Sequence, residues 1–314
     1  MSDTTASLRR KIGGANDLQS VVRTMKAVAA ASIGQYEQSV AALDDYYRTV
    51  ELGLGVCFRN IGAAPLPAVP NEQTLAGTIG TGTISAIVFG SDQGLVGQFN
   101  DLVADHAVET LATLPAKPPA KPPAKPVVWA VGGRVQARLT DAGLSVIEVF
   151  AVPSSIKAIT PLIGQILVAS EMGQPGQGEV SELHLFYNRP TSGSGYAPVS
   201  QRLLPLDEHW RRDLIEQPWP TGNLPEVMGD DVMGGATLRT LIREYLFVSL
   251  FRACAESLAS ENASRLAAMQ RADKNIDELL EELNGTFHRL RQSSIDEELF
   301  DVIAGFEALM PKEK

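Results

Sequence analysis

Two proline-free stretches, one at each end of the chain, constrain its fold more than any other feature. No proline occurs from Met1 to Ala64, and none occurs between Pro225 and Pro311. Apolar residues recur there at steps of three and four, which is the spacing of a coiled-coil seam. In the first stretch they are Leu18, Val22, Met25, Ala29, Ile33, Tyr36, Val40, Leu43, Tyr47, Val50 and Leu54. In the second they are Ile276, Leu280, Leu283, Phe287 and Leu290, followed after a phase slip by Ile295, Leu299, Val302, Phe306 and Leu309.

This spacing predicts one helix from about Ser7 to Phe58 and another from about Thr237 to Leu309. At 1.5 Å per residue they would be roughly 75 and 110 Å long, too long for an ordinary globule. Each needs a partner helix, so we expect them to pair as an antiparallel coiled coil. If Leu8 lies opposite a residue slightly before Leu309, opposing residue numbers sum to roughly 310. That register would place Cys57 and Cys254 within about two helical turns of each other.

The middle of the chain predicts an α/β domain. Its β-rich runs are Thr83–Gly90, Val127–Val131, Leu144–Val152, Glu182–Asn188 and Ser200–Leu206, and its helical runs lie near Asn100–Thr113, Arg134–Ala142 and Ser155–Glu171. The resulting β-α-β-α-β-α-β-β order is typical of a mostly parallel, Rossmann-like sheet. We therefore divide the chain into an N-terminal coiled-coil helix, a central α/β domain and a C-terminal coiled-coil helix, at residues 1–60, 75–210 and 235–312. The proline-rich segment at 115–126 is expected to be an exposed insert.

Charge and composition exclude several classes of protein. The 314 residues are 44% hydrophobic with a formal net charge of -10, which argues against a nucleic-acid binder. No run of about 18 apolar residues occurs, and no apolar run follows the N-terminal charges, so we expect neither a signal peptide nor direct insertion into a membrane. Cys57 and Cys254 have no metal-ligand spacing and fit a reducing cytosol as packing residues.

The segment Gly90–Asn100, which reads GSDQGLVGQFN, lies between a predicted strand and a predicted helix, where phosphate-binding loops occur. It lacks both the GxGxxG spacing and the Lys-Ser/Thr pair of a Walker motif, so Gly94 and Gly97 are better explained as turn residues. The four histidines, His106, His184, His209 and His288, have no spacing suited to a metal. We predict no catalytic, cofactor-binding or metal-binding residues.

Three segments carry a resemblance to a known family. The N-terminal LRRKIGGANDLQSVVRTMKAVAAASI resembles the opening helix of the gamma subunit of F-type ATP synthases. The run FGSDQGLVGQFN is similar to that family's S-D-R-G-L-C-G-G-x-N, although Gln93, Val96 and Gln98 depart from it. The C-terminal segment, from SLASENASRLAAMQ through RQSSIDEELFDVIAGFEAL, resembles its A-S-E-x-x-A-R-M-x-A-M and N-x-x-R-Q-x-x-I-T-x-E-I blocks, with Asp296 in place of Thr. The departures suggest a divergent bacterial branch.

The resemblance implies a central-stalk rotor shaft that couples ion flow through a membrane ring to ATP synthesis or hydrolysis. It implies alpha, beta and epsilon subunits and the membrane c-ring as partners, no catalysis by the chain itself, and a peripheral location on the cytoplasmic side of the bacterial inner membrane. By position in the motifs, the implied contacts with the alpha/beta ring are Arg23, Met25, Lys26, Asp92, Gln93, Arg265, Gln292 and Asp296. Arg23 and Lys26 would suit an acidic partner surface.

Two other functions are compatible with the residues alone. One is a Rossmann-like enzyme that acts on a nucleotide at the Gly90–Asn100 turn and dimerises through its coiled coil. The other is a coiled-coil adaptor whose seam pairs between chains. Nucleotide turnover by the purified chain would favour the enzyme, and pairing between chains would favour the adaptor.

Overall fold

The computed structural model describes residues 4–61, 83–114, 126–172, 180–191, 195–223 and 235–309. Its elements are α1 (Thr5–Ile61), β1 (Thr83–Phe89), α2 (Phe99–Thr113), β2 (Val127–Val131), α3 (Gly133–Asp141), β3 (Ser145–Phe150), α4 (Ile156–Met172), β4 (Val180–Pro190), β5 (Tyr196–Leu204), α5 (Glu208–Glu216) and α6 (Gly235–Leu309). They form two compact units. The terminal unit comprises Met1–Ala29 and Leu266–Lys314, and the central unit comprises Ala30–Arg265.

The two long helices form as predicted and each extends a few residues beyond its predicted span. In the terminal unit they pack antiparallel around a small apolar cluster of Ala15, Val22, Met269 and Ile276. The prediction that Leu18 lies in the seam is wrong, because Leu18 is 55% exposed and the neighbouring Gln19 is buried instead. Gln19 Nε2 donates a hydrogen bond to Asp277 Oδ1. At this turn the buried position is therefore Gln19 rather than Leu18, whereas Val22 and Ala29 are buried as predicted.

The predicted second half of the α6 seam is also corrected. Arg9 lies over the ring of Phe287, with 5.6 Å from its guanidinium carbon to the ring centroid, close to where α1 begins. Farther along α6, Ile295, Leu299 and Val302 are 47%, 55% and 69% exposed. These residues continue the heptad spacing without a described α1 residue to cover them. The side chains of Phe306 and Leu309 lie outside the described residues.

In the central unit α1 and α6 pack antiparallel as predicted, but with a different register. Tyr46 Oη donates to Glu244 at 2.7 Å, and the ring of Tyr47 packs at a tilt against that of Tyr245, with 6.0 Å between ring centroids. Arg252 Nη1 lies 3.5 Å from Asp44 Oδ1. These pairs sum to 290–296, so the predicted sum of roughly 310 is wrong.

The register also corrects the placement of the two cysteines. A Cβ at Gly53 would touch Leu241, so Cys57 lies opposite residues near 238. Cys254 is about 16 residues farther along α6, roughly 24 Å at 1.5 Å per residue, and the predicted proximity of the thiols is wrong. Both cysteines are free and buried, and burial raises the pKa of both thiols.

The central unit contains the predicted Rossmann-like sheet. Its strand order is β3-β2-β1-β4-β5, with the first four strands parallel and β5 antiparallel to β4. Alternate residues of β1 face opposite sides: Ala86 and Val88 pack with α2 and α3, whereas Ile87 and Phe89 join the cluster that contains α4, α1 and α6. Because successive side chains of a strand point to opposite faces, the sheet packs against one layer of helices on each face.

Helix α5 is absent from the sequence prediction, although Asp207 caps it by accepting hydrogen bonds from the backbone N–H groups of His209 and Trp210. It packs on α1 where Gly55 leaves no side chain: a Cβ there would lie 2.6 Å from the carbonyl oxygen of Leu214. Arg59 Nε donates to the carbonyl of Ile215 at 2.7 Å. These contacts fix the end of α1 to the segment after β5.

Among the described residues, no helix is both long and apolar enough to cross a membrane. Residues 115–125 of the predicted proline-rich insert lie outside the described residues.

Candidate partner-binding surfaces

The eight predicted contact residues fall in three places. Arg23, Met25 and Lys26 lie on α1 in the terminal unit, and Gln292 and Asp296 lie near the end of α6 in the same unit. Asp92, Gln93 and Arg265 lie in the central unit.

The cations of the terminal unit already have an acidic partner within the chain. Lys26 Nζ lies 2.6 Å from Asp273 Oδ2, and Arg23 Nε lies 3.2 Å from Asp273 Oδ1. The hydrogen bond from Lys26, with a smaller one from Arg23, holds the pKa of Asp273 below its usual range. Asp273 lies far from these cations in sequence, and only the observed register places it opposite them.

The other predicted residues of this unit differ in exposure. Met25 is partly buried and packs against the apolar cluster of the terminal unit. Gln292 Nε2 donates to Asp296 Oδ1 at 3.1 Å, one turn along α6, and both side chains are exposed. Met25 therefore contributes to helix packing, whereas Gln292 and Asp296 lie open to solvent in the chain itself.

The loop at residues 91–98, which follows β1, is held by its own polar side chains. Asp92 accepts two backbone hydrogen bonds, from Gly133 N–H to Oδ1 and from Val152 N–H to Oδ2, both at 2.8 Å. Asn100 Oδ1 accepts from Ser91 N–H at 2.9 Å, and Asn100 Nδ2 donates to Ser91 Oγ at 2.8 Å. The loop is thereby tied to the segments that follow β2 and β3.

The glycines beside this loop are required by close packing. A Cβ at Gly90 would lie 2.3 Å from Val135 Cβ, and a Cβ at Gly132 would lie 2.7 Å from the carbonyl oxygen of Ser91. A phosphate-binding loop needs backbone N–H groups free for the ligand. Here the N–H groups of Gly90, Ser91 and Gly133 donate to protein oxygens. These three N–H groups are therefore not available to a phosphate.

Contacts to α6 bring Asp92, Gln93 and Arg265 into one region. Ser264 Oγ donates to the carbonyl of Val96, and the next residue, Arg265, donates from Nη2 to Glu261 Oε1 at 2.6 Å. Burial raises the pKa of Glu261, the bond to Arg265 opposes this, and the charge of Asp92 adds to the increase. Gln93 is exposed beside them. We refer to the 91–98 loop with Ser264 and Arg265 as the loop surface.

Two of the four histidines, His184 and His209, each lie beside a single acidic side chain. His184 Nε2 lies 3.2 Å from Glu182, and His209 Nδ1 lies 3.2 Å from Asp213. No group of three His, Cys, Asp or Glu side chains that could hold a metal occurs in the described part of the chain.

Comparison with known proteins gives the family. A family model described as ATP synthase matches residues 4–309. The chain belongs to the ATP synthase family. The ATP synthase gamma chain of Moorella thermoacetica is 27% identical over 310 residues, which cover 96% of this chain and 98% of the relative. The gamma chain of Chelativorans sp. is 27% identical over 303 residues with the same coverage.

A solved structure extends the likeness to the fold. A chain of the Euglena gracilis mitochondrial ATP synthase (OSCP/F1/c-ring, rotational state 3) is 17% identical, with a TM-score of 0.60, 99% of this chain covered and 98% of that chain. The resemblance to the gamma subunit, inferred from three segments of the sequence, is confirmed by this family membership and these relatives.

Leu95 of the loop surface and Glu261 beside it were not identified from the sequence. Leu95 belongs to the GSDQGLVGQFN segment but carries no chemistry that a motif search would detect. Glu261 occurs in the ASEN segment, and only the fold shows that a carboxylate there is buried against Arg265.

Proposed function

We propose that this ATP synthase family member is the rotating central stalk of its complex, a gamma subunit without a catalytic site of its own. The antiparallel pairing of α1 and α6 carries this proposal, because two packed helices resist twisting and bending better than one helix does. Rotation would present different faces of the stalk to the catalytic sites and bias each between conformations of different nucleotide affinity. By reciprocity, nucleotide turnover would drive the stalk.

The exposed end of α6 supports the presence of an enclosing partner. Ile295, Leu299, Phe300, Val302 and Ile303 are 45–69% exposed along one stretch of helix. Such a concentration of large apolar side chains marks a protein interface. We infer that alpha and beta subunits surround this end, that Gln292 and Asp296 contact them there, and that Asp92, Gln93 and Arg265 contact the ring through the loop surface.

The remaining partners follow from the same proposal. The epsilon subunit and the membrane c-ring would be bound by the stalk, which would make the chain peripheral on the cytoplasmic face of the inner membrane. ATP synthesis and ion transport would then be activities of the whole complex.

Purification of the tagged full-length chain from its own cells tests the assignment. We expect alpha, beta and epsilon subunits and the c-ring to copurify in fixed stoichiometry, and ATP hydrolysis to require the beta subunits. Hydrolysis by the chain alone, lost in Asp92→Ala, would support the enzyme alternative instead.

A coupling measurement tests the predicted contacts of α1. In Met25→Lys we expect ion pumping by the assembled complex to fall more than ATP hydrolysis, because the new charge lies where the stalk must pass the ring. Met25→Leu keeps the apolar packing and serves as the control. Equal loss of both activities with poor assembly would assign Met25 to helix packing alone.

A further inference from the structure

A buried carboxylate connects α6 to the sheet of the central unit. Glu256 lies on α6 and is 7% exposed. Its two oxygens bind separate guanidinium groups: Oε2 lies 2.9 Å from Arg189 Nε, and Oε1 lies 2.9 Å from Arg252 Nε. Arg189 belongs to β4, whereas Arg252 belongs to α6, one turn before Glu256. One oxygen of the carboxylate therefore joins α6 to the sheet, and the other binds within the helix.

The arginine on β4 is held by a second contact. Arg189 Cζ lies over the ring of Tyr187, 5.4 Å from the ring centroid, and Arg189 Nη2 donates a hydrogen bond to Tyr187 Oη. Tyr187 is 1% exposed and belongs to the core that the sheet shares with α1 and α6. The position of the guanidinium is therefore set by a buried side chain of the sheet.

Polar contacts with the sheet continue along the same face of α6, because residues four apart lie on one face of a helix. Ser260, one turn after Glu256, is fully buried and donates from Oγ to the carbonyl of Asn188 at 2.9 Å. One turn farther, Ser264 Oγ lies 3.4 Å from Tyr196 Oη of β5. We refer to these contacts of Glu256, Ser260 and Ser264 with β4 and β5 as the α6 joint.

Stability alone does not explain a buried ion pair in the α6 joint. Taking two charges out of water costs about as much as their attraction returns, so apolar residues of similar volume often stabilise a core as well or better. Apolar burial is non-directional, whereas a charge-assisted hydrogen bond requires a defined distance and angle. The apolar core holds α6 against the sheet, but directional bonds define the angle of the helix about its own axis more sharply.

We propose that Glu256 is a positioning residue of the stalk, which through Arg189 fixes the angle of α6 about its own axis relative to the sheet. Torque exerted on α6 then reaches the sheet with little angular slack. The inference rests on the proposed stalk function and adds to it the residue that stiffens the α6 joint.

Replacement of the ion pair by apolar side chains separates position from stability. In the double variant Glu256→Met with Arg189→Met, the thermal midpoint of the full chain should stay unchanged or rise. Spin labels at the exposed positions Ala137 of α3 and Thr240 of α6 report the angle, since both native cysteines are buried. Pulsed electron paramagnetic resonance should give a broader distribution of label-to-label distances in the double variant than in the wild type. Equal widths would overturn the proposal.

The two arginines offer a matched pair of single variants. Arg189→Gln and Arg252→Gln each remove one cation from Glu256 at the same distance, and the two arginine side chains are 46% and 41% exposed. The thermal midpoint should therefore fall by similar amounts. Only Arg189→Gln should broaden the distance distribution, because Arg252 lies on the same helix as Glu256 and its contact with α1 is to the exposed Asp44. Equal broadening by both variants would show that Glu256 serves stability alone.

Angular fluctuation in the assembled complex connects the α6 joint to the stalk function. With rotation stalled by a non-hydrolysable ATP analogue, a gold rod attached to the sheet should show a wider angular spread in the double variant than in the wild type. Arg252→Gln should show the wild-type spread. An unchanged spread in an assembled double variant would overturn the proposal. If the wild-type chain fails to assemble with the other subunits, the stalk assignment fails, whereas the distance distributions still decide whether Glu256 positions α6.

Discussion

The terminal and central units hold the same two helices together by different means. In the terminal unit the buried contact is narrow, with alanine, valine, methionine and isoleucine in one small cluster, and ion pairs flank it. In the central unit the helices join a large core that includes Phe58, Leu250 and the sheet residues Ile87 and Phe89. The stability of the terminal pair thus depends on few residues, and most of its described side chains are exposed or half-buried in the chain itself.

The two units also differ in how deeply their ion pairs are buried. Glu256 is buried in the central unit between Arg189 Nε and Arg252 Nε, both at 2.9 Å, and Glu261 is buried against Arg265. In the terminal unit the ion pairs lie at the edges of the seam. Removing one partner of a buried pair costs far more than removing one partner of an exposed pair, so polar substitutions should also affect the two units unequally.

The largest expected effect is the loss of a central aromatic side chain. Phe58 is fully buried beneath the guanidinium of Arg211, so Phe58→Ala should lower the free energy of unfolding by about 3–5 kcal/mol. Met269→Ala in the terminal unit should cost about 2 kcal/mol, the low end for such changes, because its narrow cluster can relax. All three tryptophans lie in the central unit, so urea unfolding followed by tryptophan fluorescence should shift for Phe58→Ala only. Equal fluorescence shifts would show that the units unfold together.

Replacement of glycine by alanine should change the free energy of unfolding in opposite directions at two positions of α1. Gly55→Ala places a Cβ 2.6 Å from a backbone oxygen of α5 and should destabilise the chain by about 1–3 kcal/mol. Gly14→Ala meets nothing within 4 Å and should stabilise it by roughly 0.5–1 kcal/mol through helix propensity. Chemical denaturation followed by circular dichroism measures both. A stabilising Gly55→Ala would mean that α5 moves away from α1 readily.

The sequence predicts what depends on periodicity and misses what depends on register. The long helices and five strands follow from apolar spacing, which each segment carries by itself. Register depends on which residues meet between segments, and the error of about 15 in the residue sum arose from anchoring Leu8 near the end of α6. Asp273 was missed for the same reason, since its partners Arg23 and Lys26 are distant from it in sequence.

The contributions of two carboxyl groups to stability should change with pH in opposite directions. In the central unit the group is Glu261. Because burial raises the pKa of this carboxyl, the native state favours its protonated form. The resulting stability is fully present below its ordinary pKa of 4.5 and is lost as the pH rises through the folded-state pKa. Glu261→Gln removes the titration, so its unfolding free energy should fall less than that of the wild type over this window. Parallel curves for the two proteins, followed by fluorescence, would contradict the assignment.

The smallest expected effect comes from Asp273 in the terminal unit. Lys26 and Arg23 lower the pKa of this carboxyl, so its contribution is present above the ordinary value of 3.8 and is lost as the pH falls through the lower folded-state pKa. Arg23 is 57% exposed, so salt should screen the interaction.

Asp273→Asn should therefore lower the thermal midpoint slightly at neutral pH and low salt, and the difference should shrink in high salt and below pH 3.8. Circular dichroism should register the change while tryptophan fluorescence should not. Asp301→Asn removes an exposed carboxylate from the same helix and is the control. A larger loss from Asp273→Asn than from Met269→Ala would mean that charge, rather than the narrow apolar cluster, holds the terminal helices together.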